Sequence, residues 1–398
     1  MFFLNKITKN QGGRTMGIKK RFISVMTALL LAFLTAMPVM AAPVITVGAH
    51  SSVEATASTT VASVSKYGNL ELEVTSDELL FSGFATGDMV TVTINEAEYE
   101  MPFCTNYSDV DNGALVLRAA KGTNAIIAIN MGSFAGTYGV EAGAAVTIRQ
   151  KEAGAYLEEY EIRNLVRTNN RTDYSSDAVY ANFRMVNQGS IADGILYRSS
   201  SPVNEEINRA SYADTLAAAA GIHTFINLAD SAISLEEHFN AGTFASPYYL
   251  SVYEDGGVIL LNMAIDFKDD DFRAKLAVGL NFMADQDGPY LVHCNEGKDR
   301  AGFTIAVLQA LMGASVDEIV EDYMVTYENY YGVQHNTSKY DKIAEGNIKE
   351  SLRSICGMVS GASLDNVDLA AATESYLTSI GMDQLQIQKL KTKLSAGI

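Results

Sequence analysis

Apolar and polar positions change rhythm more than once along the chain. An apolar run from Phe22 to Met37 follows Lys19, Lys20 and Arg21 and gives way to the small residues Val39, Ala41 and Ala42. From Leu70 the pattern alternates: LELEV, then MVTVTINEAEYEM with Val90, Val92 and Ile94 apolar, then ALVLRA, AIIAIN and AAVTIRQ. A period of two, broken at Gly87-Asp88, Asp111-Asn112-Gly113 and Lys121-Gly122, predicts a small antiparallel barrel or sandwich ending near Gln150. Beyond the charged stretch 151–177, the short apolar runs HTFINLAD and PYLVHC are bounded by turns. SYADTLAAAAG, DFRAKLAVGLNFMAD and AGFTIAVLQALMG carry helical composition. Strands alternating with helices predict an α/β domain with a mainly parallel sheet.

Composition narrows the class. Of 398 residues, 48% are hydrophobic and only three are Cys, while Asp plus Glu exceed Lys plus Arg by 47 to 29, a formal charge of −18. A disulfide-stapled miniprotein, a collagen and a disordered chain are excluded, and the length accommodates two domains that each bury a core. No nucleic-acid partner is expected, because a chain this acidic repels phosphate backbones, as it does an anionic membrane. The basic flank, apolar run and small-residue exit predict a secretory signal peptide over residues 1–41, with an uncleaved membrane anchor as the alternative. Without that segment the chain holds 23 basic against 47 acidic residues, a charge of −24. The expected location is secreted or cell-surface.

The remaining chain divides into a Ser-, Thr-, Ala- and Val-rich linker at 42–66, the β-barrel module at 67–150, a connector at 151–177 and the α/β domain at 178–398. Nothing in the sequence indicates an oligomeric state. Cys104, Cys294 and Cys356 are an odd set, so at least one thiol stays free. Cys104 and Cys356 read as buried apolar fillers, with a bridge permitted by export. Five scattered His and no zinc-like spacing give a metal site no support.

Candidate chemistry gathers at one strand-to-helix junction, YLVHCNEGKDRAG, from Tyr290 to Gly302. A loop feeding a helix N-terminus can turn its amides inward as an anion cradle reinforced by the helix dipole. Such a cradle lowers the pKa of a thiol at its base, here Cys294, and makes it a nucleophile. The planar fork of Arg300 matches two phosphate oxygens, and Gly297 and Gly302 permit close backbone approach.

These residues resemble the cysteine-dependent phosphatase signature of Cys, five residues and Arg. HCNEGKDRAG is similar to the HCxxGKDRTG loop of the bacterial tyrosine-phosphatase family that includes secreted dual- and triple-specificity enzymes. ANFRMVNQGSIADGILYRSSSP resembles that family's NFRDLGG and LLYRSG, GIHTFINLAD its IDLR strand, and DEIVEDYMVTYENY with YLTSIGMDQLQIQKLKTKL its C-terminal helices. The resemblance spans about Tyr180 to Leu394. It implies a cysteine-phosphatase-like α/β domain, with a mainly parallel central sheet flanked by helices, preceded by a small all-β barrel domain. It also implies a phosphomonoesterase that needs no cofactor and acts on a phosphoprotein or phosphoinositide, with Cys294 and Arg300 catalytic.

Two departures stand out. Ala301 occupies the place of the family's Thr or Ser, whose hydroxyl would steady the departing thiolate. Asn227 and Ala229 replace the Asp and Arg of IDLR, so no role transfers there. In the β-rich part, SGFATGD, YSDVDNG and NMGSFAGTYG resemble the C-terminal β-barrel of the SAM hydroxide adenosyltransferases over about eighty residues. That family's catalytic half has no counterpart, so no activity carries over; the module reads as structural or partner-binding, with a cell-surface partner the candidate.

The leaving oxygen needs a proton donor. Asp266 lies 28 residues before Cys294, where cysteine phosphatases usually place a mobile acid loop. It could equally belong to a helix start, since Asp269, Asp270 and Asp271 follow. Asp299 and Asp270 are rivals and Asp230 a fourth. His293 either tunes the loop by hydrogen bonding or is a satisfied strand histidine. Asn295, Glu296, Gly297, Lys298, Ala301 and Gly302 would contact substrate. Lys298 adds positive charge or is simply exposed; Arg198 and Arg184 line the rim or hold the domain by ion pairs. Three readings stay open: a protein-tyrosine phosphatase with dual specificity as an extension, a phosphoinositide or phytase-like phosphatase, and a noncatalytic phosphate-binding surface protein.

Overall fold

The computed structural model describes residues 54–396; the expected signal peptide and the linker up to residue 53 lie outside the described residues. Seven strands form the N-terminal module: β1 (Thr56–Val64), β2 (Leu70–Thr75), β3 (Met89–Ile94), β4 (Ala97–Cys104), β5 (Leu115–Arg118), β6 (Asn124–Ile129) and β7 (Ala145–Glu152). They close into a barrel in the order β1-β2-β6-β5-β4-β3-β7, with β7 pairing back onto β1. Alternation sorts the side chains as a pleated strand must: Leu70, Leu72, Val90, Val92, Ile94 and Phe103 pack inward with Ile127 and Ile148. Two short helices, α1 (Ser76–Phe81) and α2 (Phe134–Tyr138), sit between strands.

Two expectations are corrected here. The stretch assigned to the linker supplies β1, whose small polar residues hide its role because among them only Val61 is fully buried. The barrel is also not wholly antiparallel: β4 and β5 pair in parallel, Phe103 with Leu117 and Cys104 with Arg118. The chain between them does not turn back as a hairpin but crosses through Thr105–Ala114, where the Asp109 carboxylate accepts from the amides of Thr105 (3.0 Å) and Asn106 (2.7 Å).

Asp109 also anchors the connector. Its other oxygen accepts from Asn164 Nδ2 at 3.0 Å, its carbonyl accepts from Tyr156 Oη at 2.9 Å, and Arg163 pairs with Asp111 at 2.8 Å. Connector helix α3 (Leu157–Arg163) thereby covers the outward face of the barrel at Cys104, Val110, Val116 and Ala128. Its opposite side pairs with the second domain, Glu161 with Lys339 at 2.6 Å and Glu158 with Lys342. Helix α4 (Asp177–Tyr180) completes the connector.

The second domain builds on β8 (Arg184–Val186), β9 (Leu196–Ser199), β10 (Thr224–Asn227), β11 (Val258–Leu260) and β12 (Tyr290–His293), in the order β11-β10-β12-β9-β8. The pairs β11/β10, β10/β12 and β12/β9 are parallel, and β9/β8 is antiparallel. Helices α5 (Ala210–Ala219), α6 (Ala232–Asn240) and α7 (Pro247–Glu254) pack on the face that presents Phe225 and Leu291. The other face, with Ile226, Tyr290 and Val292, carries α8 (Asp270–Asp285), α9 (Asp299–Leu311), α10 (Val316–Tyr331), α13 (Leu369–Ser379) and α14 (Gln384–Ser395). Between them lie α11 (Ser338–Ala344), a π-helical turn at Glu345–Lys349 and α12 (Glu350–Ile355). Covering on both faces is why YLVH is buried throughout, without alternation. The parallel register aligns Ser199, His293, Asn227 and Leu260, so the loops that follow all leave one edge of the sheet, where α/β folds place their ligand crevice.

Asp109→Ala is expected to lower the stability of the full chain by about 2–3 kcal/mol, since it strands the buried amides and unpins the connector from the barrel. A urea titration followed by tyrosine fluorescence checks this.

Candidate active site

Strand β12 ends at His293, and Cys294 follows at the base of the loop, 3% exposed. Three of the next four carbonyls are tied to groups outside the loop, and the fourth accepts the first helical bond of α9. Asn295 O accepts from Ser201 N at 3.0 Å, and Glu296 O from Tyr330 Oη at 3.1 Å and Asn182 Nδ2 at 3.2 Å. Gly297 O accepts from Arg198 Nη2 at 2.7 Å, and Lys298 O from the Gly302 amide at 2.9 Å. Because each peptide unit is planar, these carbonyls turn the amides of residues 296–299 the other way, and among the described residues none of the amides of residues 295–300 donates to a protein acceptor. Helix α9 begins in the same loop without a side-chain cap, so its dipole adds to the inward amides. Gly297 has φ +69°, and a Cβ there would lie 2.3 Å from Ser199 O. Only glycine supports this loop path.

Behind the loop stands a buried ion triad. Asp322 on α10 pairs with Arg198 Nη1 and Arg184 Nε, each at 2.8 Å. Burial alone would push the Asp322 carboxyl up, but the two guanidinium groups more than reverse it and hold it ionised. Burial and the nearby Arg198 bring the Arg184 guanidinium down to about 10. Asn182 joins the triad to the loop, accepting from Arg184 Nη1 at 2.7 Å through its own Oδ1. Losing one partner of such a group costs about 3–5 kcal/mol, because a buried charge is left uncompensated.

The triad corrects the rim assignment of Arg198. Its side chain is fully buried and grips the loop from behind, so it cannot touch substrate. Lys298 is likewise not a free cation. Its Nζ lies 3.5 Å from Glu296, 3.9 Å from Asp299 and 3.2 Å from Tyr331 Oη, beside the Tyr327 ring. Burial alone would lower the pKa of this ammonium, but Asp299, Tyr331, Tyr327 and Glu296 reverse the effect and hold it charged. The Glu296 side chain turns to Arg167 rather than inward. His293 is fully buried, neither ring nitrogen meets a hydrogen-bond partner among the described residues, and burial holds the ring neutral. Ala301 and Gly302 are buried in the first turn of α9, where Gly302 admits the Tyr323 ring and Arg198.

Arg300 donates through Nη1 to Met263 O at 3.0 Å and, more weakly, to Leu228 O at 3.4 Å, which fixes one edge of its fork against the loops after β10 and β11. The four acid candidates separate. Asp270 stands in the solvent-exposed first turn of α8, where Asp269 is the N-cap. Asp230 is buried and bound to Asn227 Nδ2 (3.0 Å) and His238 Nε2 (3.2 Å). Asp266 and Asp299 line one cleft of about 440 Å³, with Ile265, Lys268, Tyr323 and Glu350. Asp266 is exposed and accepts from the Lys268 amide at 3.0 Å. Asp299 opens α9 at the loop itself, and burial pushes its carboxyl up against the opposing pull of Lys298. The π-helical turn forms part of the same cleft, a local distortion that often marks functional sites.

Sequence reasoning missed Arg167, Asn182, Asp322 and Tyr330 as supports of the loop. Asp322 carries a signal, a carboxylate on the buried stripe of α10 between Ile319 and Thr326. Arg167, in the charged connector, carries none.

Residues 59–147 match the SAM hydroxide adenosyltransferase C-terminal domain. A tyrosine-protein phosphatase of Nostoc commune is 32% identical over 119 residues, covering 28% of this chain and 40% of that protein, so the chain spans less than half the length of that relative. The core catalytic domain of the PP-IP phosphatase SIW14 from S. cerevisiae, solved with citrate, aligns over 44% of this chain and 94% of that one at 17% identity, TM-score 0.25. An uncharacterized conserved protein from Thermotoga maritima aligns over 23% and 35% at 25% identity, TM-score 0.23. Residues 180–396, more than half the chain and the part that contains the loop and its clamp, match the tyrosine phosphatase family, to which this chain belongs.

Proposed function

We propose that the protein is an exported phosphomonoesterase of the tyrosine-phosphatase type. The observation that carries this reading is the run of four bonded carbonyls directly after Cys294, which leaves the loop amides without protein acceptors at a helix N-terminus. Cys294 Sγ attacks phosphorus while the amides and the free edge of Arg300 hold the non-bridging oxygens. The ester P–O bond breaks, and an acid protonates the leaving oxygen. Water then attacks the phosphocysteine, the P–S bond breaks, and inorganic phosphate leaves as the same carboxylate takes the water's proton.

Asp299 suits the acid role better than Asp266. Its carboxyl is pushed up by burial and so keeps a proton to higher pH than a free carboxyl, and it belongs to the loop that holds the phosphoryl group. Asp266 forms the opposite wall of the cleft. Ala301 contributes no hydroxyl to the departing sulfur, which makes release of the phosphocysteine the slow step.

The cleft also bears on substrate choice. Asp266, Asp299 and Glu350 line it with a single Lys268 and the apolar Ile265 and Phe267, and it meets the loop at Asp299, while Cys294 and Arg300 are not among its lining residues. An acidic, partly apolar surface beside the loop repels a leaving group that carries further phosphates, which favours phosphotyrosine over inositol polyphosphates and phosphoinositides.

Vanadate is expected to inhibit the full chain while EDTA does not, and Cys294→Ser is expected to abolish turnover of p-nitrophenyl phosphate; activity surviving that change would remove the mechanism. Asp299→Asn is expected to slow a poor leaving group such as phenyl phosphate by roughly 10²–10³ and p-nitrophenyl phosphate far less, and to erase the alkaline limb of its pH–kcat/KM profile. The same result from Asp266→Asn instead would transfer the acid role. In parallel assays, phosphotyrosine peptide is expected to exceed phytate and phosphoinositide in kcat/KM by at least about tenfold.

A further inference from the structure

The phosphatase match begins at residue 180, yet one contact to the loop comes from before it. Arg167 Nη2 reaches Glu296 Oε1 at 2.5 Å, with the two side chains 15% and 28% exposed. Its guanidinium lies over the Tyr330 ring at 5.8 Å, and Tyr330 Oη in turn holds Glu296 O. Nη1 donates to Asn169 Oδ1 at 2.8 Å, a group that also receives Arg209 Nη1, so the connector segment is locked to the domain by a second, fully buried arginine. Glu296 is an anomaly in a loop that must receive a phosphate dianion. Its carboxylate opposes the incoming charge, and Lys298 stands farther from it, at 3.5 Å, than Arg167 at 2.5 Å.

We propose that Arg167 is a positioning residue of the phosphoryl site: it neutralises Glu296 and holds that side chain outward, so that the loop presents amides and Arg300, not a carboxylate, to the anion. The proposal rests on this loop being the phosphoryl site. Removing Arg167 unmasks one negative charge close to the bound oxyanion and weakens oxyanion binding, on the order of tenfold for a partly screened unit charge at this range.

The test compares wild type, Arg167→Ala, Arg167→Lys and the double variant Arg167→Ala/Glu296→Gln in the full chain, with each Tm recorded. The readouts are KM and kcat for p-nitrophenyl phosphate and the inhibition constants of vanadate and inorganic phosphate. Arg167→Ala is expected to raise KM and both inhibition constants about tenfold with kcat little changed, and Arg167→Lys to lie between. The double variant is expected to return to within about twofold of wild type, because the charge to be neutralised is gone. An unchanged Arg167→Ala, or a loss that persists in the double variant, overturns the proposal, since a purely structural arginine gains nothing from Glu296→Gln. A wild-type chain that neither turns over substrate nor binds vanadate instead sinks the underlying reading of the loop.

Discussion

Four consecutive peptide carbonyls held by hydrogen bonds, at residues 295–298, are the constraint on which the site depends. A peptide unit has two ends, so fixing the oxygen fixes where the N–H points. The fixing groups are Ser201 N just after β9, Arg198 on β9, Asn182 before β8, Tyr330 on α10 and Gly302 N in α9, and two of them, Arg198 and Asn182, are fixed in turn by the Arg184–Asp322–Arg198 triad or by Thr326. An ion triad this deep is an expensive way to hold a fold together, because burial opposes every charge in it. Its effect is directional instead: a planar guanidinium with two neighbours orients a carbonyl more tightly than apolar packing could.

The two domains meet this constraint unequally. The sheet provides the strand end and the helix that bound the loop, whereas the connector reaches in from the barrel side through Arg167 and, by way of Asn169, Arg209. The barrel therefore bears on the site through α3 and the segment after it, which are fastened to the barrel at Asp109 and to the second domain at α11.

What was legible in the sequence follows from range. The loop could be read because its parts, a buried strand, Cys294, Gly297 and Arg300, lie within a dozen residues and their spacing is their geometry. Helices α8, α9 and α10 declared themselves by composition and period. Sequence alone could not decide whether Arg198 lined the rim or held the domain by an ion pair, because its partner lies 124 residues away. The Arg167–Glu296 pair, 129 residues apart, lay beyond reach for the same reason. Strand β1 was lost because Thr, Ser and Ala outside a closed barrel look like a tether, and the parallel β4/β5 pair because strand direction depends on where the intervening chain crosses, not on the strands' own residues.

Barrel closure has a further consequence. Since β7 returns to β1, each of the seven strands has a neighbour on both sides, but the seams are partial: β1 meets β7 over Thr56–Thr60 and β2 over Val61–Val64, and β4 meets β5 at Phe103 and Cys104. Side chains standing on its outer skin, such as Phe81 and Met131, offer a second surface, whose recognition can drift by point substitution while the scaffold beneath stays unaltered.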